Sequence, residues 1–203
     1  MYNRVGRYVG GLALVVGSLA LSLFLYPTDE VVAQSVEEDQ EFVDALGRMA
    51  WQGITRMHSI DAFRPYDWLT RQEAAKFFSE FSTNVLFNVM DLKRYCEFSD
   101  LTRADPTLRN PILTSCMLWL FRWSGGMFRP QQQLTRAEAI TVLMRALEGN
   151  MDERGDPWRQ NYYNRAVTIG LLRDTPHERM EQSISRYEVA LLLKRASLRT
   201  RRR

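Results

Sequence analysis

Three arginines occupy equivalent places in a short motif that recurs along the chain. The motif is a hydroxyl residue followed at once by arginine and, three positions after the hydroxyl, by glutamate. Its copies are Thr70-Arg71-Gln72-Glu73, Thr135-Arg136-Ala137-Glu138 and Ser185-Arg186-Tyr187-Glu188. A guanidinium can bind an oxyanion through two parallel hydrogen bonds, and a helix N-terminus favours anions through its free N–H groups and its dipole. Arg71, Arg136 and Arg186 are therefore candidate anion-binding residues, unless they simply pair with nearby acids.

The hydroxyl and the glutamate of each motif predict the start of a helix. In such a capping box the hydroxyl accepts a hydrogen bond from a first-turn N–H, and the glutamate accepts one from the N–H of the capping residue. The predicted boxes are Thr70 with Glu73, Thr135 with Glu138, and Ser185 with Glu188. Apolar side chains follow at helical spacing on one face of each helix: Phe77, Phe78 and Phe81, then Val142, Leu143 and Ala146, then Leu192, Leu193 and Ala196. These faces predict a shared core.

A second helical stretch precedes each capped helix, and a loop containing glycine joins the two. The predicted stretches run from a Ser35–Glu38 capping box to Gly53, from Pro111 to about Trp123 before Gly125 and Gly126, and from Trp158 to Val167 before Gly170. No segment shows the sustained alternation of a β-strand. The sequence therefore predicts an all-α fold of three helix–loop–helix units, which bury their apolar faces only when packed together.

The amino terminus predicts export. Arg4 and Arg7 precede an uncharged apolar run, residues 8–26, and Asp29 and Glu30 follow it. Positive charge before the run and negative charge after it place the rest of the chain outside the membrane. Cleavage after Ala33 would make residues 1–33 a signal peptide, whereas retention would make residues 8–26 a membrane anchor.

Export changes the interpretation of the two cysteines. Cys96 and Cys116 lie 20 positions apart, and in an exported chain they are candidates for a disulfide. The alternative is two free buried thiols. We expect no metal site, because His58 and His177 are the only histidines and neither lies at ligand spacing from a cysteine.

The net charge of +3 arises at the carboxyl end of the chain. Residues 194–203 hold six cations and no acid, and residues 34–193 carry a net charge of −3. This distribution argues against a nucleic-acid partner, which requires basic side chains clustered on the folded surface. The basic tail, residues 199–203, is either a solvated terminus or an adhesive segment for anionic polymer or lipid. We find no phosphate-binding, metalloprotease or serine-hydrolase motif, and so expect no catalytic residues and no cofactor.

The repeated motifs resemble those of S-layer homology domains, in which a Phe-x-Pro turn precedes Thr-Arg-Ala-Glu at a helix start. Residues 134–139 match closely, residues 69–74 nearly so, and residues 184–189 more loosely. Phe63-Arg64-Pro65 and Phe128-Arg129-Pro130 supply the turn in the first two copies, Glu178-Arg179-Met180 stands in its place in the third, and Phe98-Ser99-Asp100 resembles the opening of a unit. The resemblance implies three repeats at about residues 37–90, 95–149 and 152–198, packed as a pseudo-threefold bundle.

The family resemblance also implies a function and a location. Such a bundle attaches exported proteins at the cell surface by binding an anionic wall polysaccharide in grooves between repeats. Arg71, Arg136 and Arg186 would hold an acidic substituent such as a pyruvate ketal, with Thr70 and Thr135 beside them. The implied protein is not an enzyme, and its partners are the wall polysaccharide and S-layer or other envelope proteins.

Three tryptophans could extend a binding face by stacking on sugar rings: Trp68, Trp119 and Trp123. Core packing is the more usual role of such residues, and we expect it for most of them. Trp119 stands where the other two units have glycine, so the second unit departs from the family pattern.

Two other functions stay open at this point. The first is an envelope protein that residues 8–26 hold in the membrane and that uses the helical bundle to bind protein partners. The second is an enzyme with catalytic carboxylates in a groove. Failure to bind any acidic glycan would favour the envelope protein over an attachment module. Turnover of a glycan by the purified protein would indicate an enzyme.

Overall fold

The computed structural model describes residues 29–122, 125–151, 159–172 and 179–200, with side chains from residue 40 onwards. The helices are α1 (Asp29–Trp51), α2 (Ile60–Phe63), α3 (Arg71–Asn84), α4 (Arg109–Met117), α5 (Arg136–Glu148), α6 (Arg159–Thr168) and α7 (Arg186–Thr200). Two short 3-10 helices, Leu101–Arg103 and Pro106–Leu108, precede α4. The described ranges contain isolated β-bridges but no β-strand, in agreement with the predicted all-α class.

The chain divides into two units, residues 1–40 and 41–203, and all packing discussed below lies within the second. Of the first unit, the structure describes residues 29–40, which are helical. The predicted signal or anchor segment, residues 8–26, lies outside the described residues, as do Ala33's side chain and residues 201–203. No helix in the described ranges is both long and apolar enough to cross a membrane.

The core of the second unit is formed by the inner faces of α3, α5 and α7. The nine apolar residues expected on these faces are all buried: Phe77, Phe78, Phe81, Val142, Leu143, Ala146, Leu192, Leu193 and Ala196. Burying one large apolar side chain contributes about 1.5–3 kcal/mol, so this shared core is the main support of the fold. The carboxylate of Glu41 in α1 accepts two hydrogen bonds of 3.1 Å from Arg195, which joins α1 to α7.

The helices that precede the capped helices differ from the prediction at two ends. The Ser35–Glu38 capping box was wrong, because α1 begins at Asp29 and Ser35 lies inside it. The predicted end of the second helix near Trp123 was also wrong, because α4 ends at Met117 and Trp119 adopts a left-handed φ of 62°.

The residues just before the three capped helices meet in a closed ring of backbone hydrogen bonds. The N–H of Leu69 donates to the Ile184 carbonyl (2.9 Å), Ile184 donates to Leu134 (2.9 Å), and Leu134 donates back to Leu69 (2.8 Å). All three side chains are fully buried. We call Leu69, Leu134 and Ile184 the central ring, and it relates the three capped helices by a threefold pattern.

The predicted disulfide between Cys96 and Cys116 is confirmed, with an S–S distance of 2.09 Å. It joins residues 85–96, which follow α3, to the last turn of α4. We refer to residues 85–96 as the connecting segment. The insertion that separates the first two motifs by 65 residues, against 50 for the second and third, therefore includes a cross-linked loop.

Candidate functional site: an arginine-rich groove

The glutamate of each motif accepts a hydrogen bond at the start of its own helix. One carboxylate oxygen of Glu73 accepts from the Thr70 N–H (3.0 Å), and Glu138 accepts in the same way from Thr135 (3.0 Å). Glu188 accepts from the Ser185 N–H at 2.9 Å. Each of these carboxylates has its other oxygen left for a second partner.

That second partner is the motif arginine of another capped helix. Arg71 donates to Glu138 at 3.0 Å and Arg136 donates to Glu188 at 2.6 Å. Arg186 closes the circle by pairing with Glu73. The motif arginines therefore do pair with acids, and the acids belong to the neighbouring motif. We call these three pairs the Arg–Glu ring; its arginine side chains are 12%, 12% and 5% exposed for Arg71, Arg136 and Arg186.

The first-turn N–H groups of the capped helices are also occupied. The N–H of Arg71 donates to the Gln132 carbonyl (2.8 Å), Arg136 donates to Gln182 (3.0 Å), and Arg186 donates to Asp67 (3.0 Å). The second N–H of each helix is occupied in the same way. The N–H of Gln72 donates to the Pro130 carbonyl, that of Ala137 donates to Met180, and that of Tyr187 donates to Pro65. The expectation that free N–H groups favour an anion at these helix starts is therefore wrong.

A groove of about 230 Å³ lies beside Arg71. Five arginines border it and one carboxylate, that of Glu138, faces them. The arginines are Arg71, Arg122, Arg129, Arg145 and Arg159, and the other lining residues are Phe121, Met127, Phe128, Gln132, Thr141 and Val142. Arg159 also pairs with the carboxylate of Glu181 (2.9 Å). An excess of arginine over acid among the residues that line one groove creates a positive potential suited to an anionic ligand.

Arg71, which lines this groove, is held by several contacts. Its Nε donates to the Phe128 carbonyl at 2.9 Å, and its guanidinium lies 5.2 Å from the ring centroids of both Phe121 and Phe128. Burial lowers the pKa of Arg71 below its ordinary value, and this effect outweighs the opposing attraction of Glu138. The nearby charge of Arg129 lowers the pKa further. A ligand carrying negative charge would offset both effects, because its attraction favours the charged guanidinium that burial and Arg129 disfavour.

Arg129 is placed at the groove by a buried carboxylate. Asp100 accepts hydrogen bonds from the N–H groups of Phe128 and Arg129, both at 2.8 Å. These bonds hold Arg129 at a left-handed φ of 59°, with its side chain exposed. Asp100 thus joins the Phe-Ser-Asp motif to the Phe-Arg-Pro turn that follows α4.

The residues predicted to bind ligand do not all border this groove. Arg71 does, whereas Arg136 donates to the Gln182 side chain (3.2 Å) outside it, and Arg186 donates to the buried Phe63 carbonyl (2.9 Å). Thr70 donates its hydroxyl hydrogen to Glu73 at 2.8 Å, and the Thr135 hydroxyl accepts from the Glu138 N–H at 3.2 Å. Both hydroxyls are therefore occupied by helix capping.

Sequence reasoning missed four of the five groove arginines. Arg129 carried a signal, since it is the middle residue of a repeated Phe-Arg-Pro turn. Arg122, Arg145 and Arg159 come from different elements and reach the groove only through tertiary packing.

The core-packing interpretation was wrong for two of the three tryptophans. Trp68 is 50% exposed and Trp119 is 45% exposed. Trp68 lies next to the central ring and does not border the groove, and Trp123 lies outside the described residues.

One of the comparisons with known proteins falls on this same region. Residues 122–140 match the sequence model of the S-layer homology domain, a stretch that contains Arg122, Arg129 and Glu138 of the groove and the start of α5. The chain is also 27% identical over 157 residues to the surface-layer 125 kDa protein of Lysinibacillus sphaericus. That alignment covers 71% of this chain and 12% of the relative, so the chain spans a small part of its relative's length. Residues 122–140 are thus similar to the S-layer homology domain, and the chain is similar to part of a surface-layer protein, in agreement with the family that its motifs resemble.

Proposed function

We propose that the protein is a non-enzymatic attachment module of the cell surface that binds an anionic wall polysaccharide in the arginine-rich groove. The observation that carries the proposal is that five arginines and one carboxylate line that groove. The groove lies on the stretch that matches the S-layer homology domain, and a surface-layer protein is among the relatives of the chain. The three helix–loop–helix units would be three S-layer homology repeats.

The arginines would have different roles in this function. Arg71 is fixed by Glu138 and by two aromatic rings, and would present one edge of its guanidinium to an acidic substituent such as a pyruvate ketal. Arg129 is exposed at the rim and would make the second contact. Arg136 would line an equivalent position in the next groove, whereas Arg186 is the most buried of the three motif arginines and would serve mainly to hold the bundle together.

Arg129 and Arg64 offer a matched pair for testing the groove. Both are the middle residue of a Phe-Arg-Pro turn and both adopt a left-handed φ, of 59° and 51°. Arg129 borders the groove, whereas Arg64 pairs with Asp67 at the surface at 3.1 Å. Arg129→Gln should weaken binding to purified pyruvylated wall polysaccharide at least tenfold in calorimetry, and Arg64→Gln should leave the affinity unchanged.

The wall polysaccharide itself provides the second arm of the test. Removing the pyruvate ketals should abolish the difference between wild type and Arg129→Gln, because the negative charge that the groove recognises is gone. The double variant Arg71→Ala with Arg136→Ala should lose binding to the intact polymer in co-sedimentation. Equal binding by wild type and both variants would overturn the groove as the binding site, and failure of wild type to bind any acidic glycan would favour an envelope protein with protein partners.

A further inference from the structure

A second cleft, of about 510 Å³, lies at the carboxyl end of α5 and is separate from the Arg–Glu ring. Three parts of the chain form it: the end of α5, the turn after α4, and the connecting segment. Its lining residues are Asn88, Val89, Leu118, Trp119, Arg145, Ala146, Leu147, Gly149 and Asn150. The cleft therefore combines one indole, a few aliphatic groups, two side-chain amides and the buried guanidinium of Arg145. Arg145 donates to the Leu120 carbonyl (3.0 Å) and also borders the arginine-rich groove.

Trp119 occupies this cleft in a backbone conformation that suits glycine. Its φ is 62°, and the equivalent residues after α1 and α6, Gly53 and Gly170, have φ of 71° and 69°. The turns also match in hydrogen bonding: the N–H of Trp119 donates to Cys116 (2.9 Å) as that of Gly170 donates to Val167 (2.8 Å). A side chain is disfavoured in this conformation, and the indole gives little back to the core because it is half exposed. Strain of this kind without a packing return is typical of a functional residue.

The indole is held in a fixed position. The guanidinium carbon of Arg94 lies 3.4 Å from its ring centroid, so Arg94 covers one face. The disulfide between Cys96 and Cys116 fixes the two backbone segments that carry these side chains, and the N–H of Asp91 donates to the Met117 carbonyl at 2.9 Å. Trp119 lines the cleft and Arg94 does not, and the subsite proposed below uses the indole face opposite Arg94.

The two amides of the cleft are positioned by protein contacts and keep groups for a ligand. Asn88 donates through Nδ2 to the Ser82 hydroxyl (3.0 Å) and to the Ala146 carbonyl (2.9 Å), so its Oδ1 is the group it can offer. The Oδ1 of Asn150 accepts from Arg122 at 3.2 Å, so its Nδ2 is the group it can offer. The cleft thus presents one acceptor and one donor beside an aromatic ring.

We propose that this cleft is a carbohydrate subsite for an uncharged pyranose, which would stack on Trp119 and hydrogen-bond to Asn88 and Asn150. A pyranose has an apolar face of C–H groups and a rim of hydroxyls that donate and accept, which is the combination that the indole and the amides require. A purely apolar ligand would cover the amides without pairing them, at a cost in free energy. The subsite rests on the proposed function for the class of its ligand, but it uses no residue of the Arg–Glu ring.

The test uses two probes without acidic groups, namely depyruvylated wall polysaccharide and a neutral tetrasaccharide of N-acetylglucosamine. Either probe should shift the NMR signal of the Trp119 indole N–H, assigned by its loss in Trp119→Gly. Trp119→Gly should bind the responding probe at least tenfold more weakly than wild type. The variant should keep the turn, because glycine is the residue found in the two equivalent turns. Trp68→Leu is the matched control, since Trp68 is equally exposed but does not border the cleft, and it should bind as wild type does.

The outcome can be separated from that of the proposed function. Arg129→Gln should leave binding of the uncharged probes unchanged, although it weakens binding of the pyruvylated polymer. If neither probe moves the Trp119 signal, or if Trp119→Gly binds the responding probe as tightly as wild type, the subsite is overturned while the arginine groove stands or falls on its own test. Loss of pyruvylated-polymer binding in Arg129→Gln with an intact Trp119 response would support both sites.

Discussion

The Arg–Glu ring and the connecting segment are held in place by opposite means. In the ring, three arginines and three glutamates pair in one repeated arrangement, and the arginines are largely buried. In the connecting segment, Phe87 and Val89 are 79% and 90% exposed, and the segment is tied to α4 by a disulfide and by the hydrogen bond from the Asp91 N–H to the Met117 carbonyl. The ring therefore depends on every one of its members, whereas the connecting segment can vary in sequence once its cross-link is formed. A new ligand-binding residue is therefore more easily accommodated beside the connecting segment than within the Arg–Glu ring.

The largest effect is expected from breaking the most buried pair of the ring. Arg186→Met should lower the free energy of unfolding by about 3–5 kcal/mol, because it leaves the Glu73 carboxylate without the cation that faces it. Urea denaturation monitored by circular dichroism measures the change. The double variant Arg186→Met with Glu73→Gln should recover part of the loss, since no charge is then left unpaired; a loss below 1 kcal/mol in the single variant would show that the ring is not essential.

Removing the disulfide should have a smaller and more local effect. Replacing both Cys96 and Cys116 by serine should cost about 3 kcal/mol, the value expected for closing a loop of this size. Hydrogen exchange should rise in residues 85–96 and at the end of α4, while the central ring stays protected. Equal loss of protection in the central ring would contradict the division into two independently held regions.

Loss of one helix cap should cost less again. Thr135→Ala removes the hydroxyl that accepts from the Glu138 N–H and should lower stability by about 1 kcal/mol. Ser183→Ala is the control, because the Ser183 hydroxyl bonds to the exposed Gln133 side chain and caps no helix. Thermal unfolding of the two variants compares them directly, and equal melting temperatures would argue against a capping contribution.

The smallest effects on stability are expected from substitutions at the left-handed turn residues Gly170 and Trp119. Gly170→Ala should cost about 1 kcal/mol, because a side chain is strained at a φ of 69°. Trp119→Gly should change stability by less than that, since it relieves the same strain and gives up the stacking of Arg94, a contact worth roughly 0.5–1 kcal/mol at an exposed site. Chemical denaturation of both variants checks the pair; a large loss for Trp119→Gly would mean that the indole is a core residue after all.

The local features of the fold could be predicted from the sequence. A helix start leaves a signal within four residues, so the capped starts of α3, α5 and α7 follow from Thr70, Thr135 and Ser185 and their glutamates. The buried stripes follow from 3.6-residue spacing, and the disulfide from two cysteines in a chain that is predicted to be exported. These features depend on neighbours in the chain or on the compartment.

The features that could not be predicted depend on contacts between distant residues. The sequence alone shows Arg71 next to Glu73, whereas the fold pairs it with Glu138, 67 residues away. The carbonyls that occupy the first-turn N–H groups come from another loop, so the helix starts looked open to anions when they are not. The end of α4 at Met117 could not be predicted either. A glycine at position 119 would have indicated a left-handed turn, whereas a tryptophan does not.

The closed hydrogen-bond ring of Leu69, Leu134 and Ile184 has a consequence for the order of events when the protein is made. When a chain leaves the ribosome or crosses a membrane with its amino end first, Leu69 and Leu134 emerge before Ile184 does. Arg186 must then reach back to Phe63 across 123 residues. Closing so long a loop is entropically costly and is repaid only when all three members are present. Completion of the native structure must therefore wait until Ile184 and Arg186 have emerged, and until then the core faces of α3 and α5 lack the α7 side chains that pack against them.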